Sequence, residues 1–405
     1  MSHQCAYGVI FGMLCAFWCH VIIVPMTTNS PRVKENIIMS AAHKNQSRPK
    51  FAIVGGGYLG AELAKGLDED MDVTLIERAS HFTHAPAMIR AMAVPALVEH
   101  ALTPYDRLLD QGRVVQGEAV GVDVEGVTLA DGTKVLADYI VVATGSSHLA
   151  PFKAGTGNIA GLRAENDRWH KALSDAQSVL IIGAGAVGTE LAGEIAHAEP
   201  KKKITLVSSD ATLFPGFPEK LGRSLSAKLK RMGVEIIVGA RAQTLPGRDG
   251  PEGGSVTLSM GQTIDADLII PAVGSSPLTG LLETLPGAQL DGAGRVKVDK
   301  WLRPSQLANV FSAGDVAASG DAMTIVAISR QVPWLEKTLR AVAGGKAVEK
   351  LKPYTPWKKA PILVPLGPKR GSSFLVIMTA GNWITGTMKG KDLFIGKYKK
   401  LMGQG

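Results

Sequence analysis

The chain repeats itself, and that repeat limits its architecture more than any other feature. FAIVGGGYLGAELAKGL, beginning at Phe51, is echoed by VLIIGAGAVGTELAGEI, beginning at Val179. Gly55, Gly57, Gly60, Glu62, Leu63 and Ala64 match Gly183, Gly185, Gly188, Glu190, Leu191 and Ala192 at a constant offset of 128. Two further landmarks follow in the same order: DVTLIER at Asp72 against KITLVSS at Lys203, then ADYIVVATGSS at Ala137 against ADLIIPAVGSS at Ala266. The period is too long for a solenoid unit, so the repeat reads as two copies of one domain type.

Each copy runs from a β-branched strand through G-x-G-x-x-G into an apolar helical stripe. The first glycine permits the tight strand-to-helix turn, the second lets backbone approach a pyrophosphate, and the third lets helix and strand pack closely. The helix N-terminus adds N–H groups and positive dipole for the phosphates. Two dinucleotide sites follow, and with them an α/β chain built from two Rossmann-like domains. The second strand of copy one ends in Glu77, placed to accept from ribose hydroxyls. That of copy two ends in Ser208 and Ser209, with neither an acid for a 2′-hydroxyl nor an adjacent Arg for a 2′-phosphate, so NADH and NADPH stay equally open. A later stretch, VFSAGDVAA from Val310, is a short strand turning at Gly314 and Asp315 into a helix start. There a carboxylate either caps the helix or bonds sugar hydroxyls.

Composition narrows the chemistry. With 45% hydrophobic and 20% charged residues among 405, the chain can bury a sizeable core. Its three cysteines, Cys5, Cys15 and Cys19, precede both motifs, and its histidines end at His197. No redox CxxC or CxxxxC pair and no metal ligand set is expected, which leaves an organic cofactor or ordinary side chains. The net charge of +8 is local. Ten Lys and Arg against Asp392 alone follow Leu351, giving that segment +9 and leaving −1 for the first 350 residues. Such a tail suits an anionic membrane, a nucleic acid or an acidic partner, or simply a solvated face. Phe394 and Tyr398 among its lysines favour a lipid interface. At the other end, 5–24 is an apolar run just long enough to span a bilayer, with Arg32 and Lys34 after it placing the body in the cytosol. Alternatively the protein starts at Met39 and is cytoplasmic.

GGGYLG, ATG at Ala143–Gly145, GAGAVG and SAGD, in that order, resemble the FAD/NAD(P)-dependent pyridine nucleotide oxidoreductase superfamily. HAPAMIRAMAVPA after the first unit, GTELAGEI and the ending KGKDLFIGKYKK are similar to its apoptosis-inducing-factor-like and ferroptosis-suppressor-like branch. The missing CxxxxC after GGGYLGAELA sets the chain apart from the glutathione-reductase-like disulfide enzymes. The resemblance implies FAD on copy one, held by Gly55, Gly57, Gly60, Glu77, Thr144, Gly145, Gly314 and Asp315, with Arg90 as a further candidate. It implies NADH or NADPH on copy two, at Gly183, Gly185, Gly188, Glu190 and Gly274. Glu190 is the expected catalytic residue near the nicotinamide; its alternative is a helix-dipole role like that of Glu62. For Arg90 and the weaker candidate His84, both in the region after Glu77, a surface position is expected, with an approach to the flavin as the alternative.

The activity implied is hydride transfer from NAD(P)H through flavin to a quinone at a membrane. Reduction of a soluble acceptor such as monodehydroascorbate or an electron-transfer protein is the alternative within the enzyme class. A redox-regulated nucleic-acid-binding protein is the alternative outside it. Expected boundaries are an extension at 1–46, an FAD domain at 47–165 and 278–325, an NAD(P)H domain at 166–277 after a linker at 154–161, and a basic α+β domain at 326–405. Trp383 in that last segment is expected in a core.

Overall fold

A computed structural model describes residues 48–148, 152 and 157–405. The extension at 1–46, with its apolar run, lies outside the described residues, as does part of the linker. The first motif unfolds as expected: β1 (Lys50–Val54), α1 (Tyr58–Leu67), β2 (Asp72–Glu77), β3 (Arg113–Gln116) and β4 (Tyr139–Val142). The second copy gives β5 (Ser178–Ile182), α2 (Ala186–Ala198), β6 (Lys203–Val207), β7 (Val234–Ile237), β8 (Glu252–Thr257) and β9 (Thr263–Pro271). After it come β10 (Val310–Ser312), α3 (Ile325–Ala343), the short strands β11 (Ile362–Pro365), β12 (Gly371–Phe374) and β13 (Thr379–Ala380), and α4 (Ile395–Leu401).

Two five-stranded sheets result, ordered β10-β4-β1-β2-β3 and β7-β6-β5-β9-β8. The first is parallel throughout, and the second is parallel except for β8 against β9. Both crossovers pair at equivalent registers: Val54 opposite Ile76 and Ile182 opposite Val207. Continuous apolar runs suit strands covered on both faces, and Phe51–Val54 are accordingly buried. β10 returns to the first sheet with Ser312 opposite Val142, carrying Gly314 and Asp315 to the strand ends beside the first motif. The segments after β4 and β9 pair with each other, Ser146 opposite Pro277 and Ser147 opposite Ser276. The third landmark of each copy thus joins the two halves.

The C-terminal segment has the expected α+β character, with an antiparallel β11-β12-β13 sheet. It has no core of its own. Leu335, Leu339, Tyr398 and Met402 are buried in the cluster around β1 and α1, whereas Val364, Leu366, Phe374 and Leu393 join the cluster of the second copy. Trp383 is 68% exposed, against the expectation of a core position: the helical turn Asn382–Thr385 buries Thr385 and turns the indole outward.

Arg90 and His84 are buried, which corrects the expected surface position. Arg90, in the helix Ala85–Ala91, donates from Nε and Nη2 to the two carboxylate oxygens of Glu194 on α2, at 2.8 and 2.9 Å. Its Nη2 also donates to the Gly390 carbonyl at 2.8 Å. Breaking such a buried pair leaves an uncompensated charge, at a cost of about 3–5 kcal/mol. Arg90→Ala is therefore expected to lower unfolding stability by about that amount. Urea denaturation followed by circular dichroism measures it, and a loss within about 0.5 kcal/mol would contradict the buried pair.

Candidate active site

The two halves share one cavity of about 530 Å³. From the first motif it takes Gly55, Gly57 and Glu77; from the connecting segment Thr144 and Gly145; from the β10 turn Gly314 and Asp315. From α2 it takes Ala186, Val187 and Glu190, and from the C-terminal segment Pro361, Ile362, Leu363, Lys389 and Phe394. Gly60, Gly183, Gly185, Gly188, Gly274 and Arg90 do not line it. Arg90 is a strut between helices rather than a cavity residue, because Glu194 and Gly390 engage its guanidinium.

The motif glycines divide their tasks alike in both copies. Gly55 and Gly183 turn at φ 101° and 109°. A Cβ on Gly60 would collide with the Gly55 carbonyl oxygen, and one on Gly188 with that of Gly183, so these two serve helix–strand contact. A Cβ on Gly57 or Gly185 would meet nothing within 4 Å. Protein packing therefore does not require glycine there. A ligand lying along the backbone would. α1 and α2 begin at these same glycines without a side-chain cap, so no side chain competes with a phosphate for their first N–H groups. This chain fits a dinucleotide at both turns.

Polar groups around the cavity hold its shape. Glu77 accepts from the Gly56 N–H at 2.6 Å and the Ala79 N–H at 2.9 Å, which fixes its carboxylate at the end of β2. Ser146 Oγ donates to Asp315 at 2.7 Å, and Thr144 Oγ1 donates to the Leu278 carbonyl at 2.8 Å. Behind Asp315, the Gly314 N–H donates to Gln331 Oε1 at 2.8 Å, and Gln331 Nε2 donates to the buried Asp321 at 3.1 Å. Asp321 also accepts from the Tyr354 hydroxyl and the Trp357 N–H. Gln331 and Asp321 carry no sequence motif. Tyr58, at a variable position of GGGYLG, lines the cavity, accepts from the Ala85 N–H at 2.9 Å and lies 3.1 Å from His84 Nδ1. His84 Nε2 is 2.6 Å from the Leu393 carbonyl, which can only accept, so Nε2 carries the hydrogen and Nδ1 takes that of Tyr58. Burial pushes this imidazole down to about 4, which keeps it neutral.

At the end built from α2, Lys389 Nζ lies 2.6 Å from Glu190 Oε1 and 3.2 Å from the Leu363 carbonyl oxygen. Both side chains are nearly sealed from solvent. Burial pushes the Glu190 carboxyl up, while Lys389 pulls it down and Glu194 adds to the rise. Lys389 is the residue that sequence reasoning missed, having been counted only as part of a basic tail. The same tail is anchored elsewhere: Lys397 bonds Glu62 at 3.0 Å and Lys399 lies 3.2 Å from His100 Nδ1. Tyr398 is buried, its ring centroid 4.9 Å from Tyr58 and 5.5 Å from Phe82. The expected use of Tyr398 as a lipid anchor is therefore corrected by its place in the core, while Phe394 is half-buried and borders the cavity.

Fold, paired glycine turns and a shared cavity define a two-dinucleotide oxidoreductase. The chain matches pyridine nucleotide-disulphide oxidoreductase over residues 105–342, and a second family of that description over 50–132. It belongs to this family, which is FAD- and NAD(P)H-dependent. It is 32% identical to apoptosis-inducing factor homolog B of Dictyostelium discoideum, over 87% of this chain and 96% of that protein. It is 24% identical to ferroptosis suppressor protein 1 of Xenopus tropicalis, over 88% and 96% respectively. NDH2 from Plasmodium falciparum, solved in complex with NADH, has a similar fold at a TM-score of 0.69 and 14% identity, covering 88% of this chain and 99% of that one.

The two turns make separable predictions. Gly57→Val is expected to purify folded but colourless, and Asp315→Ala with reduced flavin. Gly185→Val is expected to keep flavin yet lose its reduction by NAD(P)H. Absorbance at the flavin band and stopped-flow bleaching check these, and yellow Gly57→Val protein would refute the assignment.

Proposed function

We propose that this chain is an FAD-dependent oxidoreductase passing electrons from NADH or NADPH to a quinone at a membrane. One observation carries the reading. The first motif, the Asp315 turn and the Glu190–Lys389 pair all border a single cavity, so donor and acceptor chemistry have one place to meet. When bound, the flavin supplies the two-electron redox chemistry that side chains lack. Gly55, Gly57, Glu77, Thr144, Gly145, Gly314 and Asp315 would hold it. The first turn of α2, with Gly183, Gly185 and Gly188 behind it and Gly274 after β9, would hold the pyridine nucleotide. No cysteine follows Cys19, so no protein disulfide stands between flavin and acceptor in either motif.

The net reaction takes a hydride from NAD(P)H and a proton from solvent, and returns quinol and NAD(P)⁺. Lys389 has three N–H donors, two of them engaged by Glu190 and Leu363; the third is proposed to meet a carbonyl oxygen in the cavity. Pro361, Ile362 and Leu363 give that end an apolar wall suited to a quinone ring. Resemblance to ferroptosis-suppressor-like proteins supports the same acceptor. Of the ten basic residues after Leu351, Lys389, Lys397 and Lys399 each face a group of the body, which leaves fewer of them for a nucleic acid.

An acceptor panel tests the reading: a ubiquinone analogue, naphthoquinone, ferricyanide and monodehydroascorbate, each with NADH and NADPH. Quinones are expected to give the highest kcat/KM, and preference for monodehydroascorbate would overturn the quinone assignment. Glu190→Gln is expected to slow flavin reduction at least about tenfold with flavin content unchanged. The pH dependence has a definite sign. Glu190 is ionised above its raised pKa, so flavin reduction should fall as pH drops through a value above the usual carboxylate range. Glu190→Gln should remove that inflection, and an unaltered pH profile would take Glu190 out of the reaction.

A further inference from the structure

The connection between β12 and β13 carries apolar side chains with little of the protein over them. Val376, Ile377 and Met378 are 43%, 82% and 48% exposed. The turn closes through the Leu375 N–H to the Met378 carbonyl and the Ile377 N–H to the Leu375 carbonyl, both at 2.8 Å. Val376 sits at φ 69°, where a β-branched residue is disfavoured and Gly or Asn is the usual occupant. Local folding therefore gives no reason for Val-Ile-Met at this tip. Water and backbone both weigh against it.

The surroundings say what would cover it. Ile362 stands opposite Phe374, so the tip lies at the end of β11 reached by Lys358, Lys359 and Pro361. Lys358 and Lys359 are exposed, and no Asp or Glu occurs between Glu349 and Asp392. An apolar point in a segment that carries lysines and no acid complements an apolar phase faced with negative charge. A three-residue convex tip offers far less than the about 800 Å² per partner of a standard protein interface. β11 also builds the cavity wall with Ile362 and Leu363, and the Leu363 carbonyl accepts from Lys389.

We infer that Val376, Ile377 and Met378 insert into an anionic leaflet, with Lys358 and Lys359 at its phosphates, bringing the β11 wall of the cavity to the bilayer. The quinone reading supplies the reason for such docking; the docking itself rests on the patch. The membrane contact is thereby assigned to this tip and not to α4, whose Tyr398 is buried.

Hydrogen exchange on the full-length, flavin-loaded protein tests it, with vesicles of phosphatidylcholine plus phosphatidylserine, vesicles of phosphatidylcholine alone, and no vesicles. Anionic vesicles are expected to protect the amides of 375–378 in a salt-sensitive way and to leave those of 395–403 unchanged. The double variant Ile377→Ser, Met378→Ser should bind the anionic vesicles at least about tenfold more weakly. It should lose a similar factor in kcat/KM for long-chain ubiquinone in vesicles, with water-soluble quinone turnover retained. Lys358→Gln with Lys359→Gln should reduce the salt sensitivity. Protection of 395–403 alone, equal protection by neutral vesicles, or no effect of the double variant would overturn the inference. So would protection that rises with protein concentration without lipid, which would assign the tip to a second copy of the chain. Absence of turnover with every quinone would defeat the quinone reading, whereas vesicle protection of 375–378 decides the docking independently.

Discussion

Two carboxylates on one face of a buried helix hold this molecule in its working arrangement. Glu190 and Glu194 are one turn apart on α2, and residues four apart share a helix face. Both are buried among the apolar residues of that helix. An ionised carboxylate taken out of water without a partner costs several kcal/mol, so each demands a cation from another part of the chain. Glu194 receives Arg90 from the first nucleotide-binding half, and Glu190 receives Lys389 from the C-terminal segment. Arg90 also reaches the Gly390 carbonyl, next to Lys389. Three distant stretches meet on two turns of one helix.

The shared cavity depends on that meeting. Without it, each glycine turn would be an isolated dinucleotide site facing solvent. With it, the helix Ala85–Ala91 packs on α2, and the C-terminal segment closes one side with Leu363, Lys389 and Phe394. The pairing of Ser146–Ser147 with Ser276–Pro277 fastens the other side, using the segments that end each copy of the repeat. Redox chemistry between two bound dinucleotides needs such a fixed relation, since a misplacement of about 1 Å can cost a hundredfold in rate.

What the sequence discloses about this arrangement is what local spacing encodes. Gly55, Gly57 and Gly60 and their counterparts are legible because the turn, the ligand's approach and the helix contact each constrain one position within six residues. Asp315 is legible because its strand and turn are contiguous. Arg90, His84 and Lys389 are not, because their partners Glu194, Leu393 and Glu190 lie more than a hundred residues away and follow no period. A charge count has the same blindness. It sums Lys389, Lys397 and Lys399 into a basic tail, though each is set against a particular group of the body. The exposed Trp383 and the buried Tyr398 show the same limit for aromatic residues: composition marks both as amphipathic, and only packing decides which one meets solvent.

The repeat extends into these tertiary partners. Glu62 and Glu190 occupy equivalent helix positions, and each is bonded by a lysine of the C-terminal segment, Lys397 and Lys389 respectively. The geometry is duplicated; the surroundings are not. Lys397 is 56% exposed, where water screens the pair and an ion pair is worth at most about 1 kcal/mol. Lys389 is 11% exposed and faces the cavity, where the same pairing opposes the upward push that burial gives the Glu190 carboxyl. Duplication of a nucleotide-binding unit supplies two identical helix positions, and a single strap of chain laid across both makes one an external fastening and the other part of the site. What separates the two glutamates here is depth below the surface, a property that a motif shared by both copies does not carry.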